Sequence, residues 1–395
     1  MTVKLGLVAG EPSGDLIAAE VLEGLFKERS DLQVSGIGGP RLASAGMTIW
    51  EPMNALSVFG YVDALKSLPR LLSIYRGVSN RWLKERPDLF LGVDAPDFNL
   101  RLEHKLRQRG IPTVHFVGPS IWAWRYERIH HIRQAVSHML VLFPFEVEIY
   151  QKEGIPVTYV GHPLADTIAP EPDQDEARAA LGLEKEARVV ALLPGSRSSE
   201  IRLMSPRFLQ AAQKLQARDP SLIFVVPIVN EARRIEFSRL LAAYPVQNLK
   251  VFTPDDIGAV IGRPISWTVL AACDMAFVTS GTATLEAALF KRPMVISYVL
   301  SPWMRRIMAW KSGQEKPTLP WVGLPNVLNR DFVVPELLQD EATPEALAQT
   351  FWTLWEDLDR REAIQSTFRE MHQTLRCGTA QRAAEAIVKV LEGKV

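Results

Sequence analysis

The chain has 395 residues, 47% hydrophobic and 23% charged, which is too long for one ordinary domain and rich enough for two cores. Its 45 Lys and Arg balance 45 Asp and Glu, and a zero net charge argues against a general nucleic-acid binder. The two cysteines, Cys273 and Cys377, show neither a disulfide framework nor metal-ligand spacing; Cys273, inside "LAACDMAF", reads as a small buried hydrophobe. No stretch approaches the roughly 20 apolar residues of a membrane span. The opening "MTVKLGLVAGEPSGD" is broken by Gly10 and Glu11 too early for a signal segment. The expected location is the cytosol, with attachment to a membrane surface left open.

In chain order, short Val, Ile, Leu and Phe runs alternate with segments of helical period. "VKLGLVA" leads to a helix from Asp15 to about Lys27, and "PDLFLGVD" to "FNLRLEHKLRQRG". "IPTVHFV" leads to "RYERIHHIRQAV", "HMLVLF" to "FEVEIYQKEG", and "VTYVG" closes the set. The acidic, proline-bearing stretch 169–187 reads as a linker. The pattern then restarts with "RVVALLP", "SLIFVVPIV", "NLKVF", "DMAFVTS" and "PMVISYVL". Strands alternating with helices imply parallel sheets covered on both faces. The expected fold class is therefore α/β, with two Rossmann-like domains facing a cleft and a helical C-terminus. The expected boundaries are 1–168, the linker 169–187, 188–343, and helices over 344–395.

Ligands of such sheets bind beyond the carboxyl ends of the strands, so the residues just after the apolar runs are the informative ones. In "LPGSR", Gly195 allows close backbone approach, Ser196 offers a hydroxyl and Arg197 a planar cation suited to phosphate. A plain strand-to-helix turn with a surface arginine is the rival reading. In "SGTATLE", Ser280, Gly281 and Thr282 fall at a helix N-terminus, a ready anion site. Glu286 lies one turn further on the same face, where a carboxylate suits the vicinal hydroxyls of a ribose. Together the two loops suggest one nucleoside diphosphate held by the second domain.

The first domain offers "AGEPSGD", a two-glycine loop with Glu11 and Gly14 that lacks the dinucleotide fingerprint. Its Asp15 reads as a helix N-cap. "GVDAPDFN" carries the chemistry best. Asp94 ends a strand and suits a general base, with Asp97 as support, although Asp97 also suits a helix cap. In "GPSIWAWR", Trp122, Trp124 and Arg125 suit a sugar and a phosphate, or core packing. His162 in "VGHPL" reads as structural. Between residues 61 and 87, Val62, Leu65, Leu68, Leu72 and Tyr75 recur at helical spacing among Lys66, Arg70, Arg76 and Arg81. Such a basic amphipathic helix either packs on its own core or meets anionic lipid. "SPWMRRIMAWK", residues 301–311, has the same character.

Seven motifs, "LVAGEPSGD", "VDAPDFN", "GPSIWAWR", "YVGHPLAD", "LLPGSR", "SGTATLE" and "GLPNVL", occur in the order seen in lipid-A-disaccharide synthases. The resemblance spans nearly the whole chain and implies a GT-B-type glycosyltransferase. It implies inverting transfer of 2,3-diacylglucosamine from its UDP derivative to 2,3-diacylglucosamine 1-phosphate, giving a β-1,6 disaccharide 1-phosphate and UDP. The setting it implies is lipid A (lipopolysaccharide) biosynthesis, at the cytoplasmic face of the inner membrane. It also implies Asp94 as base and Arg197 at the diphosphate, and Ser280 to Thr282, Glu286 and Asn326, with Glu11 and Gly14 of the first loop, as nucleotide- or donor-binding residues. Asn326 has no account from the residues alone. The lipid-facing segment falls on 57–75. Pro12 stands where the family pattern leads one to expect a small residue or threonine, and the stretch before Asn326 is longer than expected. Neither a cofactor nor a metal is expected. The expected partners are the two lipid-sugar substrates and a membrane surface, with a homodimer open and no nucleic acid. The alternatives are a UDP-N-acetylglucosamine epimerase, which needs no acceptor, a UDP-sugar transferase acting on a polyprenyl-linked acceptor, and a non-catalytic membrane-surface binding protein, which has no use for Asp94.

Overall fold

A computed structural model describes residues 2–56, 61–123, 125–256, 264–301 and 319–394, the side chains of 61–68 aside. The chain divides into two compact units, 1–166 with 375–395, and 167–374.

The first unit alternates strand and helix: β1 (Val3–Ala9), α1 (Pro12–Glu28), β2 (Leu32–Gly38), α2 (Pro40–Ser44), β3 (Thr48–Pro52) and α3 (Tyr61–Glu85). It continues with β4 (Leu89–Val93), α4 (Pro96–Arg107), β5 (Thr113–Phe116), α5 (Ile129–Ala135), β6 (His138–Val141), α6 (Pro144–Lys152), β7 (Val157–Tyr159) and α7 (Pro163–Thr167). Among the described residues the strands form a seven-stranded parallel sheet in the order β3-β2-β1-β4-β5-β6-β7. Alternate residues of β1 and β4 point to opposite faces. Leu5, Leu7, Leu89 and Leu91 join a core with Leu22 of α1 and Ile387 of the closing helix, Thr379–Leu391. Val8 and Phe90 join another with Trp82 of α3 and Leu102 of α4. Both faces being buried explains the nearly unbroken apolar strands. The closing helix thus belongs to this unit, although it lies at the far end of the sequence.

In the second unit α8 (Gln174–Ala180) precedes β8 (Val189–Leu193), α9 (Ser198–Arg218), β9 (Ile223–Pro227), α10 (Glu231–Ala243) and β10 (Leu249–Phe252). There follow α11 (Ile265–Ala272), β11 (Met275–Thr279), α12 (Thr282–Leu289), β12 (Met294–Tyr298) and β13 (Glu336–Leu338), with helices over Leu324–Asn329, Pro344–Glu356 and Leu358–Leu375. Among the described residues this sheet has six parallel strands in the order β10-β9-β8-β11-β12-β13. Phe208 of α9, Phe277 of β11 and Phe351 stack through its core, with ring centroids 5.4 and 4.7 Å apart. α8, inside the stretch read as a linker, is tied to this sheet: Arg178 pairs with Asp274 at 2.9 Å, and Asp274 accepts the Val189 N–H at 2.8 Å. Cys273 is fully buried, and burial pushes its thiol up to about 12, so it is packed as an inert hydrophobe.

Three strands escape the sequence reading: β2, β3 and β13. Two local expectations change as well. The first helix begins at Pro12, whose ring suits that first helical position. Asp15 does not cap that helix. Its buried carboxylate accepts the N–H groups of Gly39, Arg41 and Leu42 at 2.7, 3.0 and 3.3 Å, so it caps α2 from a neighbouring helix.

Candidate active site

The strand order of the first unit reverses direction between β1 and β4, and their last residues, Ala9 and Val93, are register partners. The loops that follow therefore emerge side by side at the topological switch point, where open α/β sheets bind ligands. They touch. A Cβ at Gly10 would lie 2.8 Å from the Ala95 methyl, and one at Gly14 would lie 3.7 Å from Asp94 Cβ. Glu11 is the exposed N-cap of α1 in the same loop. Asp94 and Ala95 both take left-handed backbone, φ 54° and 44°. Such geometry costs an ordinary residue about 1–2 kcal/mol. It turns the Asp94 side chain out beyond the strand end, partly exposed. Beneath the turn, buried Asn99 donates from Nδ2 to the Asp94 carbonyl at 2.7 Å, with Val93 and Val8 carbonyls at 3.3 and 3.5 Å.

Asp97 is not brought against that loop by any bond. Its side chain is 90% exposed and accepts from Arg128 at 2.7 Å. Trp122 lies with Phe145, Phe143 and His162 along the carboxyl ends of β5, β6 and β7, with successive ring centroids 5.3, 5.8 and 5.5 Å apart. His162 behaves as a structural residue. Its Nδ1 accepts the Leu164 N–H at 3.2 Å, and burial pulls its pKa down to about 4, so the ring is neutral. Beside Trp122 sits Glu146, buried. Burial pushes its carboxyl up to about 7, against the pull of the Phe143 and Leu142 N–H groups and the Trp122 side chain. Arg125 is exposed, with φ 59°. Trp124 lies outside the described residues, as do the side chains of Val62, Leu65 and Leu68 and most of 301–311. Leu72 is 46% exposed, whereas Ile74, Val78 and Trp82 of the same helix are buried in the core. From Pro69 onward α3 therefore presents an inward apolar stripe, while Arg70, Leu72 and Arg76 are exposed.

In the second unit the loop after β8 turns at Gly195, whose φ of 105° favours glycine. Ser196 and Arg197 are exposed, and the Arg197 side chain is 80% accessible. The Ser196 and Arg197 N–H groups are not open to a ligand, because Glu200 accepts both at 3.0 and 3.1 Å. The cation is thus the group this loop offers. The loop after β11 is different: Gly281 N-caps α12, exposed and with open space at its Cα. Ser280 is tied down by its hydroxyl, which donates to the Val322 carbonyl at 3.2 Å. Thr282 opens α12, exposed. Glu286 is mostly buried one turn in. Burial pushes its carboxyl up, opposed by Trp267 and Ser266, and the Ser266 hydroxyl donates to it at 3.4 Å. A mostly buried carboxylate near an open helix N-terminus suits neutral hydroxyls.

Asn326 stands apart from these. It is fully buried, donating to the Val334 carbonyl and the Glu336 carboxylate, each at 2.8 Å, and accepting the Val334 N–H at 3.0 Å. Glu336 in turn accepts the Val322 and Gly323 N–H groups at 3.0 and 2.9 Å. Asn326 and Glu336 therefore brace the segment that holds Ser280. Sequence reading missed Glu336, Glu200, Glu146 and Asn99. The spacing Arg197-x-x-Glu200 at a helix start was the one signal that could have found any of them.

Two parallel sheets of seven and six strands, each interleaved with helices, and a helical C-terminus give the chain a GT-B-type fold. The fold matches the UDP-GlcNAc 2-epimerase of Neisseria meningitidis bound to UDP-GlcNAc, with TM-score 0.63 and 13% identity over all of both chains. It also matches WaaG, a glycosyltransferase involved in lipopolysaccharide biosynthesis, with TM-score 0.58 and 13% identity over 98% of this chain and 99% of that one. A family model described as LpxB, lipid-A-disaccharide synthetase, matches residues 5–390. The chain is 63% identical to the lipid-A-disaccharide synthase of Bordetella avium (strain 197N) over 393 residues, all of both chains. Against that of Thiobacillus denitrificans (strain ATCC 25259 / T1) it is 49% identical, over 98% of this chain and 99% of the other. The chain belongs to the lipid-A-disaccharide synthase family.

Proposed function

We propose that the chain transfers 2,3-diacylglucosamine from UDP-2,3-diacylglucosamine to the 6-hydroxyl of 2,3-diacylglucosamine 1-phosphate, with Asp94 as general base. The observation that carries this reading is Asp94 itself, partly exposed at a switch point and seated against Gly14 of the neighbouring loop. Its carboxylate takes the hydroxyl proton as that oxygen attacks the anomeric carbon. UDP leaves from the opposite face, so an α-linked donor gives a β product. Arg197 and the N-terminus of α12 at Gly281 and Thr282 meet the charge that builds on the leaving diphosphate. Glu286 receives the ribose hydroxyls, and Trp122 and Arg125 face the acceptor. The bonding of Asn326 supports a bracing role for it rather than contact with the nucleotide.

On α3, exposed Leu72 with exposed Arg76 one turn on supports peripheral attachment to the anionic cytoplasmic face of a membrane. Among the described residues no helix is long and apolar enough to cross one. The test is a turnover assay with the UDP donor, with and without the monosaccharide 1-phosphate, read by mass spectrometry. Disaccharide 1-phosphate formed only with acceptor supports the reading. Donor consumed without acceptor points to an epimerase or hydrolase instead.

A further inference from the structure

We infer that Asn99 is a positioning residue for this reaction: it holds the left-handed Asp94–Ala95 turn and so sets where the Asp94 carboxyl stands. The inference rests on the assignment of Asp94 as base. Asp94 and Ala95 adopt φ 54° and 44°, and neither is glycine. Something must hold such a turn. The Asp94 N–H is bonded to the Phe116 carbonyl at 2.9 Å, which ties the strand side of the turn. Its carbonyl, which leaves the sheet ladder at this point, is met by Asn99 Nδ2 at 2.7 Å.

The same amide nitrogen faces the carbonyls of Val93 and Val8, the latter on β1. One NH2 group thereby gathers the ends of both strands at the switch point. Asn99 Oδ1 is buried with no bonding partner among the described residues. The amide therefore has one workable orientation. Reversed, or replaced by a carboxylate, it would put an oxygen lone pair against three carbonyl oxygens. Nor can the helix that carries it drift. One turn on, Glu103 bonds His115 of β5 at 2.8 Å with both side chains fully buried, and a Cβ at Gly92 of β4 would lie 3.1 Å from Asn99 Cβ. Asn99 sits behind the turn, buried, so it acts on substrate only through Asp94.

The test uses the full chain with Asn99→Leu, which keeps the number and branching of heavy atoms and loses the donor. A misplacement of about 1 Å can cost about 10²-fold, so a displaced Asp94 carboxyl is expected to lower kcat by up to about 100-fold. The expected result is that loss in kcat, with UDP affinity by calorimetry unchanged because the nucleotide loops lie in the other unit. Ala95→Gly, which makes a left-handed residue easy, recovers at least about threefold of kcat in the Asn99→Leu background. Wild-type kcat in Asn99→Leu overturns the proposal, as does a loss that Ala95→Gly leaves untouched or a parallel loss of UDP affinity. If Asn99→Leu does not fold, Asn99→Ser is compared with and without Ala95→Gly under the same criteria. Asp94→Ala separates the two ideas. If it turns over normally, the base assignment falls and this proposal with it. If it is inactive while Asn99→Leu is normal, the positioning role alone falls.

Discussion

Glu200 accepts the backbone N–H of Arg197 at 3.1 Å, one turn into the helix that Arg197 caps. The two side chains are further apart, 3.8 Å at their closest, and that of Arg197 is 80% exposed. The loop thus spends its backbone donors internally and keeps its cation outward. An anion reaching this loop meets the guanidinium rather than a nest of amides. Tyr298 at the end of β12 is half-buried near both groups. Burial raises its pKa, with Glu200 adding to the shift and Arg197 opposing it.

Arg197→Ala is therefore expected to weaken UDP binding by about 1.5–3 kcal/mol, the range for a charged hydrogen bond. Isothermal calorimetry with UDP measures it, and an unchanged affinity rejects the role.

Asp94→Ala is expected to lose about 10²–10⁴-fold in turnover, the usual span for a general base. UDP affinity should stay, because Asp94 lies in the other unit from the loops assigned to UDP. Turnover near the wild-type rate would falsify the assignment. Asp97→Ala should lose far less, since its carboxylate is exposed and bonded to Arg128.

The part of this site that sequence reveals is the part carried by strand ends. β4 is a continuous apolar run and β11 is apolar up to Val278, so Asp94 and the Thr279–Ser280 pair stand out as the first polar residues after them. β2 is hard to read because its three buried apolar residues, Leu32, Val34 and Ile37, are interrupted by Gln33, Ser35 and Gly36. A Cβ at Gly36 would lie 2.7 Å from the Trp82 ring, which fills the space that a side chain of the strand would otherwise occupy. β3 is half-exposed and β13 has three residues, too short for a period to register. Glu336 is ten residues from Asn326 and thirteen from Gly323, and its bonds to them leave no repeat in the sequence. Asn326 belongs to a family motif, yet its amide is spent on Val334 and Glu336 inside the protein.

Asp15→Ala is expected to lower stability by about 1–3 kcal/mol, because three N–H groups at the start of α2 lose their acceptor. Its UDP affinity should match the wild type. A thermal melt and a UDP titration on the same sample read both, and a variant that melts normally removes the capping role. Two aspartates near neighbouring strand ends thus differ in use: Asp15, inside α1, is spent on backbone N–H groups, whereas Asp94 is partly exposed in the loop after β4.

Glu146 supplies a pH dependence with a definite sign. Burial raises its carboxyl from 4.5 to about 7 in the folded chain, so the native state holds this proton more tightly than the unfolded one. Stability from this group is fully present below the unfolded value and is lost as pH rises through about 7, with no further change above. The full span is up to about 3 kcal/mol at 1.36 kcal/mol per pH unit. Glu146→Gln stays neutral at every pH and keeps an oxygen for the Phe143 N–H, which the carboxylate accepts at 3.1 Å. Urea unfolding of both chains at pH 5 and pH 8 is the measurement. Wild type should lose stability relative to Glu146→Gln between the two, by up to that amount. Parallel curves would mean that the carboxyl is already ionised at pH 5, and that the contact with Trp122 does not change with pH across this range.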